Sequence, residues 1–199
     1  MTVASVRTRK PRATFHPLTV SAVESLTEDA VAVTFEIPAE LRAAYAFEPG
    51  QHLTVRRVID GVEIRRSYSI CSTPSLATAS GLIRIGVREI ADGAFSRYAT
   101  RALRPGDAVD VLPPLGHFTT DLTPERTRHY AAIVAGSGIT PVLSLVATAL
   151  QTEPTSRFTV LYGNRRAATV MFADDLADLK DRYPQRLHLV HVLSREPRA

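Results

Sequence analysis

Residues 130–141 read Tyr-Ala-Ala-Ile-Val-Ala-Gly-Ser-Gly-Ile-Thr-Pro. An uncharged apolar run of this length is what a strand buried on both faces of a parallel sheet shows. Gly136 permits a tight turn after it, and Gly138 has no side chain to obstruct a ligand. Thr140 then fits a helix N-cap and Pro141 a first helical position. Val142, Leu145, Val146, Ala149 and Leu150 follow at helical spacing. The pattern repeats downstream, with a strand over 158–162, a helix over 171–182 and a strand over 187–193. That alternation predicts a partial α/β doubly wound parallel-sheet nucleotide domain over 126–199.

Upstream the grammar differs. Residues 18–23 and 30–37 alternate apolar with polar, so that Val31, Val33, Phe35 and Ile37 share one face. Pro49-Gly50 turns the chain into a strand beginning near Leu53, and Asp60-Gly61 is a two-residue hairpin signal. Residues 81–90, GLIRIGVREI, alternate again. Asp92-Gly93 then breaks the chain, 95–103 reads as a short helix and 109–112 as a last strand. Short strands at regular spacing predict an all-β antiparallel six-stranded barrel over 16–118. A Thr-, Pro- and Arg-rich linker near 115–128 joins the two domains.

Composition narrows the class. With 199 residues, 45% hydrophobic and 22% charged, the chain can bury a core in each domain. The net charge of +4 is gathered partly in residues 1–15, where Arg7, Arg9, Lys10 and Arg12 predict a flexible basic tail. Elsewhere arginines are interleaved with acidic residues, which argues against nucleic acid as a partner. No apolar run is long enough to span a bilayer, and no secretory h-region opens the chain. Cys71 is the single cysteine, so an internal disulfide and a cysteine-held iron–sulfur cluster are both excluded from this chain. His16, His129, His188 and His191 lack metal-ligand spacing, and no metal is expected. A cytoplasmic protein is the expectation.

Arg65 to Ser72, RRSYSICS, is unusual for a strand end. Alternate strand residues face the same way, so Arg66, Tyr68 and Ile70 point together, with Ser67 and Ser69 opposite. A guanidinium fork suits a phosphate, a phenol suits a planar aromatic, and Ser69 could reach a heterocycle nitrogen. That is a recipe for a flavin dinucleotide; a surface strand with an Arg/Tyr face is the alternative. Residues 92–103, DGAFSRYATRAL, offer a second anion site at Gly93, Ala94, Phe95 and Ser96, with an ordinary capped helix as the alternative. At Gly136, Ser137, Gly138, Thr140 and Pro141 a glycine turn meets free helix N–H groups. There Pro141 replaces the third glycine of G-x-G-x-x-G, and a structural turn stays open. Cys71 reads as a small strand residue, and His52 and His117 as structural or cofactor-lining.

The order of the three motifs, R-x-Y-S, then G-x-F-S, then G-x-G-x-x-P, resembles the ferredoxin–NADP reductase superfamily of flavoenzymes from about His16 onward. The resemblance implies FAD, with Arg66 on its pyrophosphate, Tyr68 on the ring and Ser69 near N5 as the nearest thing to a catalytic residue. It implies that Ser67, Ser72 and the Gly93–Ser96 segment help bind that cofactor, and that Gly136–Pro141 binds the nicotinamide cofactor. The stretches PGQHLTVR, DGVEIRRSYSICS and VLYGNRR through LSRE are similar to reductase subunits of the phenylacetyl-CoA epoxidase type, which serve phenylacetate degradation. Reductase components of other aromatic-ring or steroid monooxygenases share much of the pattern. In NADP-using members a Ser-Arg pair recognises the 2′-phosphate; Ser194-Arg195 match it, and Arg165 could assist, so NADPH is expected over NADH.

The implied reaction passes electrons from NADPH through FAD to an iron–sulfur carrier or to a component of an oxygenase. Members of this type continue through a Cys-Gly-Pro segment and a 2Fe-2S ferredoxin domain, whereas this sequence stops at Ala199. An incomplete nucleotide domain is therefore expected, with a flavin-binding fragment lacking NADPH turnover as the alternative.

Overall fold

A computed structural model describes residues 14–196; the basic tail expected over 1–15 lies outside that range except for Thr14 and Phe15. The first domain contains β1 (His16–Thr27), β2 (Ala30–Glu36), β3 (His52–Ile59), β4 (Val62–Ser69), α1 (Pro74–Ser80), β5 (Leu82–Arg88), α2 (Ala94–Arg101) and β6 (Ala108–Val111). Its strands form one antiparallel sheet in the order β4-β3-β6-β1-β2-β5. Period-two alternation turns Leu18, Val20, Phe35, Leu53, Val55, Ile83, Ile85 and Val111 inward, all of them buried. Asp60-Gly61 makes the expected hairpin, with Ile59 opposite Val62. The sheet curls until its edge strands approach at the bridge between Ile70 and Ile85. Phe95 and Ala99 of α2, with Leu103 beyond it, plug the remaining gap.

The second domain contains β7 (His129–Ala135), α3 (Ile139–Thr152), β8 (Arg157–Asn164), α4 (Ala173–Arg182) and β9 (Leu187–Leu193). The strands are parallel in the order β7-β8-β9. Both crossovers step in the same direction, which puts both helices on one face. There Val160, Tyr162 and Leu187 pack with Ile139, Val146, Leu150 and Leu176. The expectation that 130–135 is buried on both faces fails. β7 is an edge strand covered on one side, so its residues alternate and Ile133 is 83% exposed.

The start of α3 also differs from expectation. Gly136–Gly138 is itself a 3-10 turn, so Thr140 is the second residue of α3 and not its N-cap. Its hydroxyl instead donates to the Ser137 carbonyl at 2.8 Å. Pro141 is tolerated as the third residue because first-turn amides have no intrahelical acceptor.

β5 joins the domains by alternation. Ile83, Ile85 and Val87 face the barrel core, while Arg84, Gly86 and Arg88 meet the second domain. Arg84 pairs with Glu24 of β1 at 2.7 Å and Asp175 of α4 at 2.5 Å. Phe172 docks so closely on Gly86 that a Cβ there would lie 2.8 Å from its ring. Arg88 pairs with Asp29 at 3.1 Å and donates to the Thr169 carbonyl at 2.9 Å.

Candidate cofactor-binding site

The edge of β4, the edge of β5 and the start of α2 enclose a cleft of about 330 Å³. Arg66, Ser67, Tyr68 and Ser69 line one wall, Gly86, Arg88 and Ile90 another, and Gly93, Phe95 and Ser96 the floor. Ser137 and Thr140 enter from the second domain. R-x-Y-S, most of G-x-F-S and, from the glycine turn, Ser137 and Thr140 are thus brought to one place, whereas Ala94, Gly138 and Pro141 do not line it.

Of the two arginines that line the cleft, Arg88 is paired with a carboxylate and Arg66 is not. Arg56 pairs with Asp110, Arg65 with Glu63, Arg84 with two carboxylates and Arg88 with Asp29. Arg66 has no carboxylate partner among the described residues and donates only to the Arg65 carbonyl, at 2.7 Å. Tyr68 stacks in a tilted fashion on Phe95, with ring centroids 5.6 Å apart. Burial pushes its phenol up to about 12, against the opposing pull of Arg66. The ring is therefore a neutral wall. Ser67 shares a hydrogen bond of 2.9 Å with Thr54, which fixes its side of the strand.

At the cleft floor Gly93 is the N-cap of α2, leaving the amides of Ala94, Phe95 and Ser96 at a helix start. The Ser96 hydroxyl braces the turn rather than capping the helix: it donates to the Gly93 carbonyl and accepts from the Ile90 amide. A Cβ at Gly93 would fall 2.3 Å from that hydroxyl, so a larger residue there would have to displace the brace. An unneutralised guanidinium facing amides at a helix start, beside an aromatic wall, fits a dinucleotide's pyrophosphate and ring.

A second pocket of about 620 Å³ lies at the C-terminal edge of the parallel strands, lined by Gly136, Ser137, Gly163, Asn164, Arg165, Thr169, Val192 and Ser194, with Asp29 and Arg88 from the barrel. Ligands of open α/β sheets bind at this edge. Gly136 adopts φ 52°, the left-handed turn expected of a glycine there. Ser137 and Arg88 line both cavities, so the two are contiguous. Arg195 is held by its amide to the Arg165 carbonyl at 2.9 Å, with its side chain exposed.

Ser72 does not join the cleft. It lies past the end of β4, where its hydroxyl accepts the Arg84 amide at 3.1 Å and its carbonyl accepts the Ser144 hydroxyl at 2.7 Å. Beside it, burial pushes the Cys71 thiol up to about 12. His52 and His117 line an open cavity with Gln51 and Leu115, next to β3. The sequence reading missed Arg88, Asn164 and Asp29. For Arg88 a signal existed, since Arg84, Gly86 and Arg88 form the non-core phase of an alternating strand.

Residues 17–120 match the oxidoreductase FAD-binding domain family, and residues 132–199 the oxidoreductase NAD-binding domain family. The chain belongs to the oxidoreductases built of an FAD-binding and an NAD-binding domain. Members of this family with similar sequences include one of the subunits of 1,2-phenylacetyl-CoA epoxidase of Escherichia coli K12, 52% identical over 92% of this chain and 50% of that protein. The ferredoxin reductase component of 3-ketosteroid-9-alpha-monooxygenase from Rhodococcus rhodochrous is 38% identical over 88% of this chain and 48% of its own. The chain thus spans about half the length of these curated relatives. In fold, it is similar to ferredoxin-NADP+ reductase from Plasmodium falciparum, with a TM-score of 0.78 at 14% identity over 93% of this chain and 76% of that one. The FAD/NAD-binding domain of a Vibrio cholerae nitric oxide dioxygenase gives 0.74 at 22% identity over 94% and 77%. No helix among the described residues is long and apolar enough to cross a membrane.

Proposed function

We propose that the cleft between β4, β5 and α2 holds FAD and the adjoining pocket takes NADPH. In this reading the chain is the electron-entry part of a cytoplasmic reductase serving an iron–sulfur carrier or the other components of an oxygenase. The observation that carries it is that Ser137 and Arg88 line both cavities, which makes them neighbours. Hydride transfer needs donor and acceptor in near contact, which adjoining sites provide without a side-chain acid or base. When bound, FAD supplies the conversion of a two-electron hydride donor into a source of single electrons.

The chain's own residues bind and orient. Arg66 and the amides at Ala94, Phe95 and Ser96 receive pyrophosphate, Tyr68 supplies the aromatic wall, and Ser67 and Ser69 the polar edge, Ser69 nearest the reacting atoms. Gly136, Ser137, Gly138, Thr140 and Pro141 receive the nicotinamide dinucleotide, while Arg165, Ser194 and Arg195 favour its 2′-phosphate. The boundaries follow as 16–118 for the FAD domain and 126–199 for the nucleotide domain. The 52% identity to a component of phenylacetyl-CoA epoxidase supports that epoxidation as the process served. The ketosteroid monooxygenase components support a related oxygenase as the alternative. In an anaerobic test, NADPH is expected to bleach the flavin absorbance of the FAD-loaded chain faster than NADH does. A chain that binds both cofactors yet stays yellow would sink the hydride-transfer reading and leave a flavin-binding fragment.

A further inference from the structure

Tyr162 and Asn164 sit two residues apart on β8, on the face covered by the helices, and both are buried, at 0% and 8% exposure. The Tyr162 hydroxyl donates to the Gly136 carbonyl at 2.9 Å. That bond pins the left-handed residue of the glycine turn and so the direction of the amides that follow it. The Asn164 carbonyl accepts the Ser194 amide at 3.0 Å. Its side-chain Nδ2 is different, being fully buried without a hydrogen-bond partner. It approaches the Tyr162 phenol closely enough to moderate that group's raised pKa, but forms no hydrogen bond.

Native proteins rarely leave a buried donor unmet, because it has lost water and gained nothing. The other such atom among the described residues, Arg84 Nε, belongs to a guanidinium already paired with two carboxylates. Asn164 has no such compensation, and it forms part of the wall of the 620 Å³ pocket, beside Gly136, Ser137 and Arg165.

We propose that Asn164 is a binding contact of this pocket: a turn of its carboxamide brings Nδ2 out to donate to an acceptor oxygen in the ribose–phosphate backbone of the nicotinamide dinucleotide, while Tyr162 positions the Gly136 turn. The inference rests on the reading of the pocket as the dinucleotide's site. A carboxamide is neutral and gains nothing from an extra phosphate. Asn164 therefore acts on affinity common to NADPH and NADH, whereas Arg165 acts on the difference between them.

The test measures NADP+ and NAD+ binding to the FAD-loaded chain by calorimetry, with the melting temperature of the chain free of nicotinamide dinucleotide read alongside. Asn164→Ala and the bulkier Asn164→Leu are expected to weaken both ligands about tenfold, the loss of one hydrogen bond, and by the same factor. Their melting temperature should stay level or rise, because an unmet donor has been removed. Tyr162→Phe should weaken both ligands a few-fold with FAD stoichiometry unchanged. A lowered melting temperature with unchanged affinity in the folded Asn164 variants would make the residue structural and overturn the inference. If the wild-type chain binds neither dinucleotide, the pocket reading falls and the inference with it. If wild type and both Asn164 variants bind equally, only the inference falls.

Discussion

The two sheets of this molecule handle their edges in opposite ways. The antiparallel sheet bends until β4 and β5 approach through Ile70 and Ile85, and α2 fills what is left. The parallel sheet keeps β7 at an edge and presents one face bare, with Ile133 83% and Val192 53% exposed. The difference separates two kinds of site. The cleft proposed for flavin forms where a sheet nearly closes, so its geometry is set by the whole barrel core. The pocket proposed for the dinucleotide forms where parallel strands end, so it depends on a turn, a few hydrogen bonds and Arg88 reaching across from the barrel.

The sharpest way to break this comparison is to delete equivalent side chains on the two sheets. Ile85→Ala, in the closed core, should cost about 2–5 kcal/mol in a denaturant melt. Ile133→Ala, on the bare face, should stay within about 0.5 kcal/mol. Equal costs would mean that Ile133 is covered in solution.

A smaller effect probes the junction. Arg84→Met removes both ion pairs that tie β5 to Glu24 and Asp175. Loss of charge-assisted hydrogen bonds that are only partly shielded should cost about 1–3 kcal/mol. The melting transition should also broaden as the domains uncouple. A sharp, unshifted transition would show that apolar docking of Phe172 on Gly86 suffices.

The pH dependence is subtler. Glu153, at the end of α3, is fully buried; burial works to raise its pKa. The Ser156 and Tyr130 hydroxyls and the Thr123 amide outweigh that and hold it below the ordinary carboxylate value. A depressed folded-state pKa gives stability that is present above the unfolded value of roughly 4.3 and is lost as pH falls through the folded one. The melting-temperature advantage of wild type over Glu153→Gln should therefore be level near neutrality and shrink in acid. An advantage that grows on acidification contradicts the assignment. Smallest of all, native Cys71 should resist iodoacetamide and react only after unfolding, since its raised pKa leaves little thiolate.

Much of the barrel was legible because alternation and turn residues are local signals. R-x-Y-S was legible for the same reason, since strand geometry alone puts Arg66 and Tyr68 on one side. What escaped the sequence depends on neighbours distant along the chain. The apolar run 130–135 looks alike on a covered and an uncovered strand, and only the direction of both crossovers decides which it is. Ser72 sits near the motif but turns away because the chain bends into α1. That helix was itself overlooked, although Thr73 caps its start and Gly81 its end. Arg88 showed only as the non-core phase of β5 and Asn164 not at all, since the partners that give Arg88 its meaning, Asp29 and Thr169, lie far along the chain.

In the reading proposed above, the barrel cleft binds FAD through an arginine that no carboxylate among the described residues neutralises. FAD titration of the wild-type chain and of Arg66→Ala tests it most directly, read as flavin bound per chain after gel filtration, with circular dichroism to show that both are folded. Near-stoichiometric FAD is expected on wild type and an affinity about a hundredfold lower on the variant, as for losing a charge-assisted contact of about 3 kcal/mol. Wild-type flavin content in a folded Arg66→Ala chain would contradict it.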